Sequence, residues 1–226
     1  MRVLRIMHKW LGLVVGLQLM LWTVSGLVFA LLDHKDVAAE HVVRALPVVL
    51  LEPNVRLVEP EAWLGDYAGS ELVDIALIRW LDRWIYRVRL ADRVELRQAE
   101  DGSRFEIGAA PIRRLATATY AGTGALRTVS LLATPTLEAR GAGPVWQVAF
   151  DDADRTSLYF SAQDGHLVAA RNEAWRLFDF FWMLHTMDYR GRDDFNHPLV
   201  ILFSTGALWL GISGALLLIR AFGRDK

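Results

Sequence analysis

Six histidines carry most of the chemistry open to this sequence: His8, His34, His41, His166, His185 and His197. Neutral imidazole is a good axial ligand for haem iron, and two on one iron suit electron transfer. The chain has no Cys. That removes disulfides, Cys-ligated zinc, iron–sulfur clusters, covalent c-type haem and any Cys nucleophile. His8 stands one turn before Gly12 and two before Gly16. All three share a helix face, and glycines beside a histidine leave room for a porphyrin. The alternative is an interfacial histidine beside Arg5 and Lys9. His185 reads either as a ligand or as a packing residue in an aromatic stripe, and His197 as a ligand or a hydrogen-bonding residue where a helix begins. Asp33, His34, Asp36, Glu40 and His41 crowd together, but first-turn acids are ordinary solvation and no dedicated metal site is assigned. His166 reads as plain surface. No H-E-x-x-H, G-x-S-x-G or P-loop is present, so the chain does not read as an enzyme by itself. Asp151, Asp152 and Asp154 read as a solvated hairpin turn, and Arg87, Arg89, Arg93 and Arg97 as one exposed strand face.

The elements that position these residues begin with two apolar runs. Hydrophobic residues make up 53% of the 226, and mean hydropathy is +0.23. Leu11–Leu32 interrupts its apolar run only with Gln18, Thr23 and Ser25, and Leu199–Ile219 carries no charge. A helix of about 20 apolar residues crosses a bilayer core. A cleaved signal peptide would have a shorter apolar stretch and a small-residue cleavage site, which Leu32-Asp33-His34-Lys35 is not, so an uncleaved anchor is expected. Residues 1–10 and 220–226 hold six Lys/Arg against one acid, whereas residues 33–197 hold 19 against 25. Basic flanks stay in the cytoplasm. Both termini are therefore expected inside a bacterial inner membrane, with residues 34–197 extracytoplasmic. His8 and His34 lie 26 residues apart, about 39 Å of helix, and cannot share one haem. An outer haem could take two of His34, His185 and His197. An inner one needs His8 from two chains or a histidine from a partner. Small residues at Gly12, Gly16, Ala207, Gly211 and Ala215 permit close helix packing. A net charge of −1 gives no case for nucleic-acid binding.

Between the runs the sequence repeats itself. Trp84, Ala91, Asp92, Arg93 and Leu96 answer Trp146, Ala153, Asp154, Arg155 and Leu158 at an offset of 62, and Asp101-Gly102 answers Asp164-Gly165 at 63. Each copy reads as a helix (Pro60–Tyr67, Pro111–Tyr120) followed by an antiparallel meander closed by an Asp-Gly turn. Strands are expected at Trp84–Leu90, Val94–Gln98 and Arg104–Ile107, and again at Trp146–Phe150, Thr156–Ser161 and His166–Ala169. Segment 121–144 reads as a loop with one further element. Asn172–Tyr189 carries Trp175, Phe178, Trp182, His185 and Tyr189 on one helical stripe, the pattern of an amphipathic helix at a membrane surface.

Several of these residues resemble a known family. Arg5-x-x-His8-Lys9-Trp10-Leu11-Gly12-x-x-x-Gly16 is similar to the opening of PepSY-associated transmembrane proteins. Trp146-Gln-Val-Ala-Phe-Asp, Tyr159 and Asp164-Gly165-His-Leu-Val resemble the PepSY strand–turn–strand signature. Phe178-Asp-Phe-Phe-Trp-Met-Leu-His185-Thr-Met-Asp-Tyr and Asp194-Phe-Asn-His197-Pro198-Leu resemble that family's C-terminal end. Membrane-attached relatives include siderophore and ferric reductases that bind b-type haem between about four spans; this chain has two, and no flavin or nicotinamide fingerprint.

The resemblance implies an α+β membrane protein in which two transmembrane helices flank an extracytoplasmic tandem PepSY-like region and an interfacial helix. The expected segments are 1–33, 34–108, 109–171, 172–197 and 198–226. Its implied function is an accessory or b-haem electron-transfer subunit of an iron- or flavin-linked membrane reductase. His8 and His185, then His197 and His34, are the haem-ligand candidates. The lipid bilayer and a membrane or flavoprotein redox partner, or a second copy, are the expected partners. The competing expectation is a haem-free module that binds a peptide, peptidase or envelope partner.

Overall fold

The computed structural model describes residues 2–45, 47, 49–52, 54–134 and 136–222. The tail residues Arg224, Asp225 and Lys226, which enter the charge argument, lie outside the described residues. The chain forms two compact units, one built from its two ends up to Val37 and from Ala174 onward, the other from Ala38–Glu173.

The terminal unit is helical. Helix α1 spans Arg2–Leu31, and a short helix α2 spans His34–Val37. The final helix, α6, spans Pro198–Phe222. The apolar runs dictate α1 and α6, and Pro198 sits at the first position of α6, where a missing N–H costs nothing. Both helices are long and apolar enough to cross a membrane. Their outer surfaces are apolar too: Leu13, Leu17, Leu208 and Ile212 are all more than half exposed. The pair is antiparallel. His8 meets Ser213, Gly12 meets Leu210, and Val15 meets Gly206. Extending that register along the 1.5 Å rise places Pro198 opposite about Thr23. The rest of α1 is covered by α5, Glu173–Thr186; the aromatic stripe predicts this helix but not its packing on α1. Phe178 packs on Phe29 at 4.9 Å, and the Gln18 and Trp22 side chains donate to the Leu184 and His185 carbonyls at 3.4 and 2.8 Å.

The other unit holds two antiparallel sheets. Helix α3, Glu61–Leu64, runs into a 3-10 turn over Gly65–Tyr67 and precedes β1 (Leu72–Trp80), β2 (Arg83–Leu90) and β3 (Val94–Gln98). Helix α4, Ala109–Thr119, precedes β4 (Ala125–Leu132), β5 (Val145–Asp151), β6 (Ser157–Ser161) and β7 (Leu167–Arg171). Ile112, Leu115 and Ala116, spaced i, i+3, i+4, are buried together with Val148, Phe150 and Leu158 of the second sheet and with Trp80, Ile85 and Leu96 of the first. The opposite face of the first sheet, carrying Tyr86, Val88 and Leu90, packs on Trp63 and Tyr67.

Both Asp-Gly turns form, and with one hydrogen-bond pattern. The Gly102 N–H donates to the Gln98 carbonyl and the Gln98 N–H to the Ser103 carbonyl, at 2.9 and 2.8 Å; Gly165, Ser161 and His166 do the same at 2.9 and 2.9 Å. The glycines have φ of +73° and +72°. A Cβ on Gly102 would lie 2.6 Å from Trp63, and one on Gly165 2.7 Å from Trp80. Both turns therefore require glycine for backbone and for space.

The repeat is imperfect. A loop of two residues closes β2 to β3, with the Leu90 N–H on the Arg93 carbonyl; the matching loop runs from Phe150 to Thr156. The register shifts accordingly: Val88 opposes Glu95, but Ser157 opposes Ala149 rather than Phe150. Arg104–Ile107 is not a strand. Arg104 makes a single bridge to Arg97, and Phe105 and Ile107 turn inward onto the core. The arginine face also needs correction. Arg97 is only 4% exposed, between the rings of Trp63 and Tyr67 at 5.1 Å from each. It donates to the Tyr67 hydroxyl, the Gly102 carbonyl and Asp66. Its position opposite Tyr86 puts it on the buried face of the meander.

Candidate functional site

The helical unit holds two histidines in matching surroundings. His8 Nδ1 lies 2.7 Å from the Ser213 hydroxyl, and His185 Nδ1 lies 2.7 Å from the Ser25 hydroxyl. Ser213 is 2% exposed and Ser25 is wholly buried. Each serine hydroxyl donates backwards along its own helix, Ser213 to the Leu210 carbonyl at 3.1 Å and Ser25 to the Leu21 carbonyl at 2.9 Å. A hydroxyl has one proton, so when it stays on the helix carbonyl the serine accepts from the imidazole Nδ1–H and Nε2 carries the lone pair; turned to the ring, it gives the other tautomer. In either case Nε2 makes no hydrogen bond to the described residues. The first arrangement is the disposition of a ligating histidine, whose other N–H is anchored by an outer partner.

The two rings sit 17 residues apart along α1, about 25 Å. His8 lies beside Trp209, centroids 6.5 Å apart. His185 lies between Trp22 at 6.2 Å and Phe29 at 5.5 Å. Burial pushes the His185 imidazole below its ordinary pKa, which keeps the ring neutral. The glycines around His8 serve differently from one another. A Cβ on Gly214 would lie 3.3 Å from His8 Cε1 and 3.9 Å from Nε2, so the ring occupies a cradle that a side chain would fill. Gly12 is covered by Leu210, whereas a Cβ on Gly16 would meet nothing within 4 Å.

The remaining histidines are placed otherwise. The His197 ring accepts the Leu199 N–H on Nδ1 at 3.4 Å, capping α6. His197 stands at about the level of His185, by the α1–α6 register above. His34 is exposed on α2. His41 lies 3.8 Å from Asp154, and His166 Nδ1 contacts Asp164 within its turn. Asp152 of the acidic turn accepts from the Tyr120 hydroxyl at 2.6 Å and from the Thr156 N–H at 2.8 Å, so it ties the β5–β6 loop down. No three His, Asp or Glu side chains converge on a common point among the described residues.

One further group supports the His185 end. The Asp188 carboxylate accepts the N–H groups of Arg190, Gly191, Asp193 and Asp194. Desolvation raises its pKa, but these four donors outweigh it and hold the value down to about 2. Arg192 pairs with buried Asp179, and its carbonyl accepts the Trp182 N–H at 3.0 Å. The loop after α5 is thus folded back on the helix that carries His185. Sequence reading missed Ser25, Ser213 and Asp188. Ser25 and Ser213 are among the few polar residues inside the apolar runs, which is the signal that could have marked them.

A b-type haem requires a neutral imidazole with a bare nitrogen and apolar surroundings. His8 over Gly214 and His185 among Trp22 and Phe29 are compatible with that requirement, and each would supply one ligand. No protein-family model, no curated protein and no solved structure matches this chain.

Proposed function

We propose that this chain is a two-span membrane subunit that moves electrons through b-type haem in a reductase system linked to iron or flavin chemistry. In this reading α1 and α6 cross a bacterial inner membrane with both termini in the cytoplasm, and the two-sheet unit is a tandem PepSY-like domain outside. The carrying observation is the matched pair of serine-anchored histidines. Their separation of about 25 Å approaches the thickness of a bilayer core, which supports a reading with one ligand near each surface. Haem, when bound, supplies a one-electron iron couple. His8 and His185 would each hold an iron through Nε2, at two separate sites. Ser213 and Ser25 fix their orientation, and Trp209, Trp22 and Phe29 exclude water around the rings.

The test is a reduced-minus-oxidised visible spectrum of the detergent-purified full chain, expressed with ample haem and paired with a pyridine haemochrome assay. The expected result is sharp b-type bands, with His8→Ala and His185→Ala each removing a distinct part. A featureless spectrum overturns this reading. It would favour the haem-free module, for which the largely exposed β4, at one edge of the four-stranded sheet, offers a place for strand addition.

A further inference from the structure

We propose that one membrane surface cuts this chain at the level of Trp22–Ser25 on α1 and Pro198 on α6, so that α1 beyond Ser25 and the exposed face of α5 lie among phospholipid headgroups. The proposal rests on the two-span part of the reading above and is independent of haem. It starts from a mismatch between the two helices. The contacts of His8 with Ser213, Gly12 with Leu210 and Val15 with Gly206 set Leu199 opposite about Trp22, and Ile219 opposite about Arg2. The apolar runs Leu11–Leu32 and Leu199–Ile219 are therefore out of step, by about ten residues or about 15 Å. A hydrocarbon core of about 30 Å fits either run but not both.

The segment between α5 and α6 decides which run the bilayer fits. It leaves α5 where His185 meets Trp22 and Ser25, and it enters α6 at Pro198, opposite about Thr23. Thr23 is close to the middle of Leu11–Leu32. A bilayer centred on that run would hold Asp188, Arg190, Arg192, Asp193 and Asp194 near its midplane. The segment forms neither helix nor strand, and Arg190, Asp193 and Asp194 are exposed. Irregular backbone and charge facing lipid are not tolerated at that depth. A bilayer centred on Leu199–Ile219 instead brings the segment to the surface. The opposite edge then falls between Arg2 and Arg5. Lys9 lies about 9 Å inside that edge. Helical side chains lean toward the N-terminus, here the nearer surface, so the lysine stem carries its ammonium outward.

The residues left above the Thr23 plane suit headgroups. Val24, Leu27 and Leu31 form one stripe on α1, and Leu177 and Phe180 one on α5; all five are exposed. Tyr189 and Phe195 of the connecting segment are exposed as well. The interfacial layer is about 5–7 Å deep on each side and takes aromatic and aliphatic groups beside charged ones. Leu27 stands about 6 Å above Thr23, within that layer. Leu31 stands about 12 Å above it, next to the water that Asp33, His34 and Lys35 require.

The chain has no Cys, so one introduced thiol carries one spin label. Leu27→Cys, Phe180→Cys and Leu208→Cys, all at exposed side chains, are labelled with a nitroxide in the full chain in phospholipid liposomes. Power saturation against oxygen, which concentrates in hydrocarbon, and against a water-soluble nickel chelate reads the depth of each label. Thermal unfolding by circular dichroism checks that each variant keeps the fold. Leu208, opposite about Leu13, should report a depth of about 15 Å, the midplane. Leu27 and Phe180 should report positions outside the core, with strong nickel collision. The reverse order, with Leu27 deep and Leu208 near an edge, is what a bilayer centred on Leu11–Leu32 requires, and it overturns the proposal. Weak collision with both reagents at Leu27 and Phe180 also overturns it, because protein rather than lipid then covers them. If no label is rich in oxygen collisions, the two-span reading itself falls, and this proposal with it.

Discussion

Arg97 in the two-sheet unit commits all of its hydrogen-bonding geometry inward, to Tyr67, Gly102 and Asp66. His8 and His185 in the helical unit commit one nitrogen each, to a buried serine, and hold the other back. Buried without a partner in the two-sheet unit are the indole N–H groups of Trp63, Trp80 and Trp146, the Arg87 Nε–H, Asp74 Oδ1 and the Thr156 hydroxyl. In the helical unit the unengaged atoms are the His8 and His185 Nε2 and the Arg192 Nε–H. The contrast separates a cation whose donors are engaged within its own unit from two imidazoles that each keep one nitrogen unengaged among the described residues. It also explains why the arginines, the more numerous group, are poor site candidates here.

Four perturbations test this division. Ile112→Ala strikes the shared core of both sheets at a wholly buried position. It should cost about 2–5 kcal/mol in thermal or denaturant unfolding of that unit, while leaving any His8- or His185-dependent spectrum unchanged. A parallel loss of the spectrum would break the division. Gly102→Ala and Gly165→Ala come next, at about 2 kcal/mol each, because both demand positive φ and meet a tryptophan. Nearly equal losses would sharpen the equivalence of the two meanders; a large inequality would break it. Ser25→Ala and Ser213→Ala each remove one hydrogen bond, about 1 kcal/mol. Under the haem reading, their diagnostic effect is a shifted midpoint potential at the corresponding histidine, with the two-sheet unit's unfolding unaltered. The smallest effect is local. Asp188 is held below its ordinary 3.8, at about 2, so its contribution is complete above the unfolded value and fades as pH falls through 2. The protection factors of the Arg190, Gly191, Asp193 and Asp194 amides, that is, exchange corrected for its intrinsic pH dependence, should fall over that acid window and stay constant above about pH 5.

The parts legible in the sequence were those that depend on neighbours along the chain. Length and hydropathy mark α1 and α6, an aromatic stripe marks α5, and Asp-Gly marks two turns. Strands β1 and β4 escaped because their patterns do not alternate cleanly. Leu72–Trp80 contributes to cores on both faces of its sheet, so its apolar run shows no period of two. Ala125–Leu132 is an edge strand with Arg127, Thr128 and Ser130 exposed. Arg97 was misplaced because a cation on a strand looks solvated until its aromatic neighbours are known. The histidines were legible as candidates, but the serines that orient them were not. Their pairing depends on the register between α1 and the helices it meets, and that register is set by contacts such as Gly12 with Leu210, far apart in sequence.

The helical unit is assembled from both ends of the chain, and this has a consequence for how the protein is made. Ser25 and His185 are separated by 160 positions. At a synthesis rate of about 5–20 residues per second, His185 emerges roughly 10–30 s after Ser25. During that interval α1 has neither α5 nor α6 to pack against, and Gln18, Trp22 and Ser25 face whatever surrounds the nascent chain. The two-sheet unit, contiguous from Ala38 to Glu173, is synthesised entirely within the same wait. Its folding can be finished before the second half of the helical unit exists. Any cofactor that needs His185 must then be loaded at the close of synthesis, onto a protein whose largest globular part is already formed.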